Sequence, residues 1–583
     1  MKRQVLFLFG SQACVPGDPL LAARGLGCAT AVLARAMPCG LAAGNVDYFE
    51  TVRMEAPDEV VATARALQAR KPVHAVIAYD DQAVPVAARV AAELGLPGHP
   101  VAAADASRDK ALMKEHFERA GVPIAPYTLA RNEEDAVRWA ADHGYPVVVK
   151  PVRGSASQGV IRADSERELR QAYRRLRRIV LQQGLDTGGR SDAEHLVEAY
   201  LDGTEVSVEL LVSHGEPSVL CVFEKPQPLA GPFFEETIYV TPPRLARERV
   251  EEIERLALRA VAALGLRHGP AHCEIRLSSS GLFVLEIGAR LIGGACSRVF
   301  RYVLDEDIHA QVIRLAMGDR LRPPGRRPGA AGAMMLPIPR EGRLLGMRGL
   351  EEAEAVPGIE DVIVNASPGD IIVPFPEQSC YVGFLTAAAG SPAEVEEALT
   401  TASGCIQLDL EPLDCEHWIY DIGDSCDSCS CGPPSHEHGI RTLEGLTLEE
   451  AQETVSPIIA RSMFTELPFD LALAEARHCI RWLLEGRRGE TSPALWLVAG
   501  DDGVALGSLA GETCYTSCLG VVPGRRRSGL GEALVRSILA LGAQHGCVQM
   551  RAETDPRQQS SGKLFRHLGF RPEASSPRAC CAC

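Results

Sequence analysis

Between Tyr145 and Val160 the chain reads YPVVVKPVRGSASQGV, an apolar strand that ends on Lys150 and runs into a turn of glycine, serine and alanine. A cation beside a bare backbone is equipment for holding phosphate. The ammonium neutralises anionic oxygens, and the N–H groups of Gly154, Ser155, Ala156 and Gly159 can close over them because no large side chain stands in the way. Taken alone, a glycine-serine turn after a strand is more often only a turn, so its companions decide the reading. Of the 60 basic residues only seven are lysine, at positions 2, 71, 110, 114, 150, 225 and 563. Where arginine dominates, a retained lysine marks a place that needs a compact point charge. Lys150 is singled out on that ground.

The companions lie on both sides. Upstream, RDKALMKEHFERAGVPIAPY lets Asp109 cap a helix whose first turn carries Lys110. Downstream, HLVEAYLDGTEVSVELLV offers the backbone of Glu198, Ala199, Tyr200 and Leu201 to a base edge, then Glu205 to ribose hydroxyls. HCEIRLSSSGLFVLEIGARLIGG places Glu274 and Glu286 on two strands joined by a turn at Ser278 to Gly281, side by side, as a hard-oxygen site for Mg2+ or Mn2+. Arg290 follows the second of them.

The elements that must position these groups divide the chain. At 583 residues it is too long for one core. Hydrophobic residues make up 46% and charged residues 23%, which is ordinary for globular protein. VLFLFG, DEVVATARALQAR, AVIAYD and QAVPVAARVAAELG alternate strand with helix, the mark of α/β layers with parallel pairing. Beyond Lys150, HLVEAY, VSVELLV, SVLCVFE and LFVLEIG have hairpin-like spacing, more α+β in character. A net charge of -16 disfavours a sequence-independent grip on nucleic acid and favours small polar metabolites. The opening VLFLF is too short for a secretory h-region, and no run is long enough to span a membrane. The odd count of 19 scattered cysteines fits reduced thiols in the cytoplasm.

Over roughly residues 1 to 415 this constellation resembles the ATP-grasp superfamily. The resemblance implies ATP and Mg2+, with Lys110 and Lys150 on the α and β phosphates, a loop from Gly154 to Gly159 that includes Ser157 over the γ-phosphate, Glu274 and Glu286 on the metal, and Arg290 beside an acyl phosphate. EIGARLIGG, GLPGHPVAAADASRDKALMKEHFERAGVP and FFEETIYVTPPRL are most similar to L-amino acid ligases. One position departs: many ATP-grasp enzymes carry asparagine two residues after the second metal carboxylate, and here stands Gly288. The implied reaction activates a carboxylate as an acyl phosphate, then couples it to an amine, with Arg290 and the Gly293–Gly294 backbone facing the oxyanion.

Near the C-terminus, Leu519-x-Val521-x-Pro523-x-x-Arg526-x-x-Gly529-x-Gly531 resembles the acyl-CoA motif of the GNAT N-acetyltransferases, and KLFRHLGFRP resembles their closing segment. Acetyl-CoA is the implied donor, its pyrophosphate at the helix start. Phe565 stands where many members have a tyrosine. Cys426, Cys429, Cys431, His436 and His438 are candidate zinc ligands in a stretch that reads equally as an unstructured linker.

The expected organisation is an α/β domain over 1–105, an ATP-grasp domain over 106–318, a C-terminal antiparallel subdomain over 319–415, a cysteine-rich linker over 416–439 and a GNAT domain over 440–583. The expected function is a carboxylate-amine ligase fused to an N-acyltransferase, in a homodimer. Two alternatives stand beside it: the same ligase acting on an unusual amine, and a non-catalytic sensor of ligand, metal or redox state.

Overall fold

The computed structural model describes residues 2–412 apart from 11–16, 38–42, 183–184, 192 and 378–380, and thereafter 416–421, 440–443, 494–499, 503–510, 513–521, 531, 533–538, 549–554, 564 and 571–572. The chain forms two compact units, Met1–Glu411 and Pro412–Cys583.

In the first unit the apolar run after the opening basic residues becomes Gln4–Phe9, buried at all six positions. A strand covered on both faces reads as a continuous apolar run and suits parallel pairing. It lies between Ala29–Ala34 and Ala75–Ala78, parallel to both, with Tyr48–Thr51 outermost. Asp80 and Asp81 follow Ala75–Ala78 after Tyr79, at the carboxyl edge where open parallel sheets gather ligands.

Two helices lead on, Val101–Arg108 and Lys110–Arg119. The Asp109 carboxylate caps the second by accepting the N–H groups of Ala111 and Leu112 at 3.1 Å each. Lys110 donates its own N–H to Val152 O at 3.0 Å, so the helix start is tied to the strand that carries Lys150. That strand, Val147–Pro151, belongs to a four-stranded antiparallel sheet ordered Tyr127–Ala130, His195–Ala199, Val147–Pro151, Ile161–Ala163, backed by the helices Glu133–His143 and Glu166–Gln182.

The largest sheet has eight antiparallel strands in the order Gly281–Gly288, Gly269–Ser278, Thr204–Ser213, Glu216–Lys225, Ile238–Thr241, Ala330–Met335, Gly383–Ala389, Ile359–Val364. Strand periodicity sorts its residues. Val206, Val208 and Leu210 pack with Ala271, Cys273 and Ile275 under the helix Arg247–Leu264, which puts Glu205 and Glu209, His272, Glu274 and Arg276 on the opposite face. Residues on both sides of position 318 build this one sheet, since Ala330–Met335 pairs with Ile238–Thr241. A small sheet of Ile371–Ile372, Gly342–Arg348 and Gln407–Glu411 stands beside it.

The second unit holds a seven-stranded sheet ordered Ile440–Leu443, Ala494–Ala499, Gly503–Ala510, Thr513–Val521, Gln549–Thr554, Glu416–Asp421, Arg571–Pro572. Thr513–Val521 and Gln549–Thr554 run parallel. The expected linker over 416–439 is corrected at its start: Glu416–Asp421, with Trp418, Ile419 and Tyr420, has the aromatic and β-branched content of a strand and pairs with Gln549–Thr554. The cysteine-rich remainder, with Cys426, Cys429, Cys431, His436 and His438, lies outside the described residues. Among the described residues no helix is long and apolar enough to cross a membrane.

Gly203, at φ +87°, gives a direct test of the frame. A Cβ there would lie 1.9 Å from Leu277 O, so Gly203→Ala requires backbone movement, whereas Gly121, at φ +62°, faces open space. Thermal unfolding is expected to show a loss of about 3 kcal/mol or more for Gly203→Ala and about 1 kcal/mol for Gly121→Ala.

Candidate active site

One cavity is lined by Lys110, Lys150, Glu198, Glu205, Glu274 and Glu286. Its uncharged side is formed by Val148, Val160, Leu229, Phe234, Leu285 and Tyr200, a surface suited to a flat aromatic ring. Two ammonium groups and the carboxylate pair thus face one space, as the spacing predicts.

The cations are held by named acids. Lys150 Nζ stands 2.8 Å and Lys114 Nζ 3.1 Å from the same Glu198 oxygen. Glu198 is 3% exposed. Burial would raise its carboxyl pKa, but the two lysines outweigh burial and hold it below the usual range. Burial likewise lowers the Lys114 ammonium, against the pull of Glu198. Lys110 Nζ donates to Gly154 O at 3.0 Å and pairs with Glu286 at 2.8 Å.

Of the backbone expected at a base edge, two amides are engaged within the protein. The N–H groups of Ala199 and Tyr200 donate to Pro126 O and Pro146 O, inside the protein. Among the described residues, Leu201 N–H donates to no protein acceptor, so it is the donor left for a base edge.

The loop after Lys150 is correspondingly divided. Ala156 and Ser157 take the left-handed conformation at φ +52° and +53°. Among the described residues, the N–H groups of Ser155, Ala156 and Ser157 have no protein acceptor. Gly159 departs from expectation, since its N–H donates to Pro376 O at 3.0 Å. Its φ of +71° is one that L side chains rarely adopt, and a Cβ there would also displace Leu176 Cδ1, 2.6 Å away. Next to it Gln158 Nε2 donates to Glu377 O at 2.9 Å, and Arg175 grips the Glu377 carboxylate through Nε at 2.6 Å and Nη2 at 2.9 Å. The segment Phe375–Glu377 therefore straps the loop and the helix Glu166–Gln182 together.

Glu274 and Glu286 are register partners on neighbouring strands, each with its own cation. Lys225, 3% exposed, donates to Glu205, to Glu236 at 2.5 Å and to Glu274 at 2.9 Å, and ligand oxygens of those three acids lie within 4.8 Å of one another. Glu205 Oε2 also stands 3.5 Å from Arg276. His272 sits between Glu209 at 2.5 Å and Glu274 at 3.3 Å. Burial opposes its charge, but Glu209 and Glu274 raise its pKa to about 10, so it is an imidazolium at neutral pH. Burial raises the Glu274 carboxyl, yet Lys225 and His272 bring it well below the usual range. A dense set of carboxylate oxygens facing two lysines fits a divalent cation bridging phosphates.

Lys225, Glu236, His272 and Glu209 were not singled out from sequence. Lys225 carried a signal, as one of the seven lysines; the others emerge only once the strands are paired.

Arg290 lies at one edge of this arrangement and does not line the cavity. Its Nε and Nη2 donate to Asp81 Oδ2 at 3.1 and 2.8 Å. A Cβ on Gly288 would come 3.2 Å from Asp81 Oδ1 and 3.4 Å from Arg290 Cζ. A side chain at that position would have to shift Asp81 or Arg290 by a few tenths of an ångström.

In the second unit Val521 ends the strand Thr513–Val521, and Gly531 is helical, followed by the buried Leu534, Val535 and Ile538. Arg526, Gly529 and Phe565 lie outside the described residues.

Comparison with known proteins fits this geometry. Residues 143–299 match the ATP-grasp domain, 20–98 the ATP-grasp N-terminal domain, 334–411 the L-amino acid ligase C-terminal domain 2, and 461–570 the acetyltransferase (GNAT) family. The chain carries an ATP-grasp domain and, after it, a GNAT domain. The ATP-grasp part is 30% identical over 215 residues to dapdiamide A synthase of Enterobacter agglomerans, covering 36% of this chain and 48% of that one. It is 30% identical over 210 residues to D-alanine–D-alanine ligase of Streptomyces griseus, covering 33% and 50%. The chain thus spans about half the length of these curated relatives. The crystal structure of L-amino acid ligase from Bacillus licheniformis superposes with a TM-score of 0.60 over 70% of this chain and 99% of that one, at 24% identity, and shares the fold. The first unit is thus similar to amino acid and dipeptide ligases that carry an ATP-grasp domain.

Two measurements probe the ATP-grasp site. Glu198→Gln leaves two buried ammonium groups without their acid and is expected to cost about 3–5 kcal/mol at pH 7. Because the folded pKa of Glu198 is depressed, its contribution is complete above the unfolded value of about 4.3 and is lost as pH falls through the folded one. The gap between wild type and variant in chemical denaturation should therefore narrow on acidification below about pH 4. Glu377→Gln, at a half-exposed pair, should change stability by no more than about 1 kcal/mol while accelerating tryptic cleavage after Arg153.

Proposed function

We propose that the first unit is an ATP-dependent ligase that activates a carboxylate, that of an amino acid, as an acyl phosphate and couples it to an amine, releasing ADP and phosphate. One observation carries the reading: Lys110, Lys150, Glu274 and Glu286, far apart in sequence, line a single cavity.

In this reading Val148, Leu285 and Tyr200 hold the adenine, with Leu201 N–H on its edge and Glu205 near the ribose. Lys110 and Lys150 hold the α and β phosphates. The free amides of Ser155, Ala156 and Ser157 cover the terminal phosphate, and Lys225 adds a third ammonium behind Glu205 and Glu274. Glu274 and Glu286 would hold Mg2+, which when bound supplies charge neutralisation between phosphate oxygens. The carboxylate oxygen of the substrate attacks the γ-phosphorus, a step that depends on alignment and charge compensation. Arg290, held by Asp81 at the edge of the cavity, is the cation this reading assigns to the acyl phosphate, and the amine then displaces phosphate. The loop excludes water while the acyl phosphate exists.

The second unit is read as an N-acyltransferase using acetyl-CoA, with the helix that follows Val521 and includes Gly531 at the pyrophosphate. The alternative of a non-catalytic sensor is disfavoured by the number of buried charges, which are costly to retain where no phosphate has to be held.

ADP release over pairs of amino acids and other amines tests the ligase. At least one pair should stimulate it, and Lys150→Ala should lower the rate by about a hundredfold or more. An unchanged rate in Lys150→Ala would overturn the assignment, and stimulation only by amines that are not amino acids would select the unusual-amine reading. Thiol release from acetyl-CoA in the presence of the same amines tests the second unit.

A further inference from the structure

Arg108 ends the helix Val101–Arg108 and is 7% exposed. A guanidinium so buried ordinarily has a carboxylate or carbonyls around it, because an ionised group taken from water without partners is costly. Among the described residues Arg108 makes no hydrogen bond or ion pair with either, and its Nε is buried without an acceptor.

The acids that face it are already engaged. Asp81 is held by Arg290 at 2.8 Å and Asp186 by Arg153 at 3.0 Å. Asp109 is shared by Arg190 at 3.2 Å and Arg153 at 3.5 Å. Burial raises the Asp81 carboxyl, but Arg290 and then Arg108 outweigh it. At Asp186 burial is overcome by the Gly188 N–H and Arg153, with Arg108 adding to them. Asp81, Asp109 and Asp186 thus form their ion pairs with Arg290, Arg153 and Arg190, Glu286 and Glu209, which also act on Arg290, pair with Lys110 and His272, and the Arg108 guanidinium is the surplus cation among these groups.

The surplus lies beside the reacting groups of the ligase. The helix Val101–Arg108 packs on the strand Gly281–Gly288, which carries Glu286. Two residues after Arg108, Lys110 bridges Glu286 and Gly154 O. We propose that Arg108 is an oxyanion-binding residue of this site, its guanidinium taking a carboxylate or phosphoryl oxygen of a ligand placed between Arg290 and the loop after Lys150. The planar pair of donors matches either group. Two sources fit: the carboxylate of an amino acid substrate, and the phosphoryl group in transfer. What the ligand is rests on the ligase reading; that an anion binds here does not.

Full-length wild type, Arg108→Met and Arg108→Lys are compared by thermal unfolding without ligand, then with Mg-ADP plus inorganic phosphate, and with individual amino acids and their carboxamides. Without ligand, Arg108→Met should unfold at the wild-type temperature or above it, since methionine fills the volume and breaks no ion pair. Its half-saturating concentration for inorganic phosphate or for an amino acid should rise about tenfold or more, with Arg108→Lys between the two. Loss of the phosphate response identifies the phosphoryl group. Loss of the amino acid response with the carboxamide response unchanged identifies the carboxylate. A lower unfolding temperature or failure to fold in Arg108→Met makes the cation structural and overturns the proposal, as does an undiminished response in the variant or no response in wild type. None of these readings needs turnover. Binding that depends on Arg108 without any ADP release would overturn the ligase reading and leave this assignment standing.

Discussion

A carboxylate removed from water needs a cation, and the eight-stranded sheet meets that need from strand to strand. Glu205 lies opposite both Lys225 and Arg276, and Glu209 opposite His272, as register partners. The same registers send Val206, Val208 and Leu210 into the apolar core beneath Arg247–Leu264. A slip of one residue would carry the charges into that core and the aliphatics into the cavity, so the ion pairs and the hydrophobic layer enforce one alignment. The shape of the cavity follows. Because Glu274 and Glu286 are also register partners, the acidic face is as rigid as the sheet.

This rigidity makes the acids usable. Paired among themselves they would repel, and the pKa of at least one would rise until it became neutral. With Lys225 and His272 buried among them, Glu274 stays ionised, whereas burial, with Glu274 and Glu236 beside it, raises the Glu205 carboxyl in spite of Lys225. The wall at Glu274 is therefore charged and ordered in advance, the preorganisation on which electrostatic stabilisation depends. Glu198 does the same for the facing side by holding Lys114 and Lys150.

The sequence made legible whatever is decided locally or by adjacent strands. The Asp109 cap on the helix of Lys110, the strand that ends on Lys150 and the hairpin bearing Glu274 and Glu286 all involve neighbours in the chain. What it withheld depends on distant pairing. Gly159 N–H reads as free until Pro376 is found against it, and Gln158 meets Glu377 at a separation of 219 residues. Asp81 reaches Arg290 across 209. Glu236 sits in the motif FFEET, yet only the position of Lys225 shows which way it faces. Glu416–Asp421 is hidden differently, since its strand-like run of six residues adjoins a stretch rich in cysteine, serine and glycine that dominates any compositional window.

The strap Phe375–Glu377 explains why the residues after 318 cannot be treated as an appendage. Its two backbone carbonyls accept from Gly159 and Gln158, and its carboxylate takes Arg175. Each of these contacts contributes about 1 kcal/mol at most. Together they amount to about 2–3 kcal/mol, roughly one to two orders of magnitude in an equilibrium between held and released loop. That is enough to keep the loop after Lys150 placed, and small enough for thermal motion to free it without unfolding either sheet. A stronger attachment would hinder exchange of nucleotide, and a weaker one would leave the left-handed turn at Ala156 and Ser157 without support for its strain. The residues matching the L-amino acid ligase C-terminal domain 2 thus act on the cavity in a definite physical way, by fastening the loop over one of its sides.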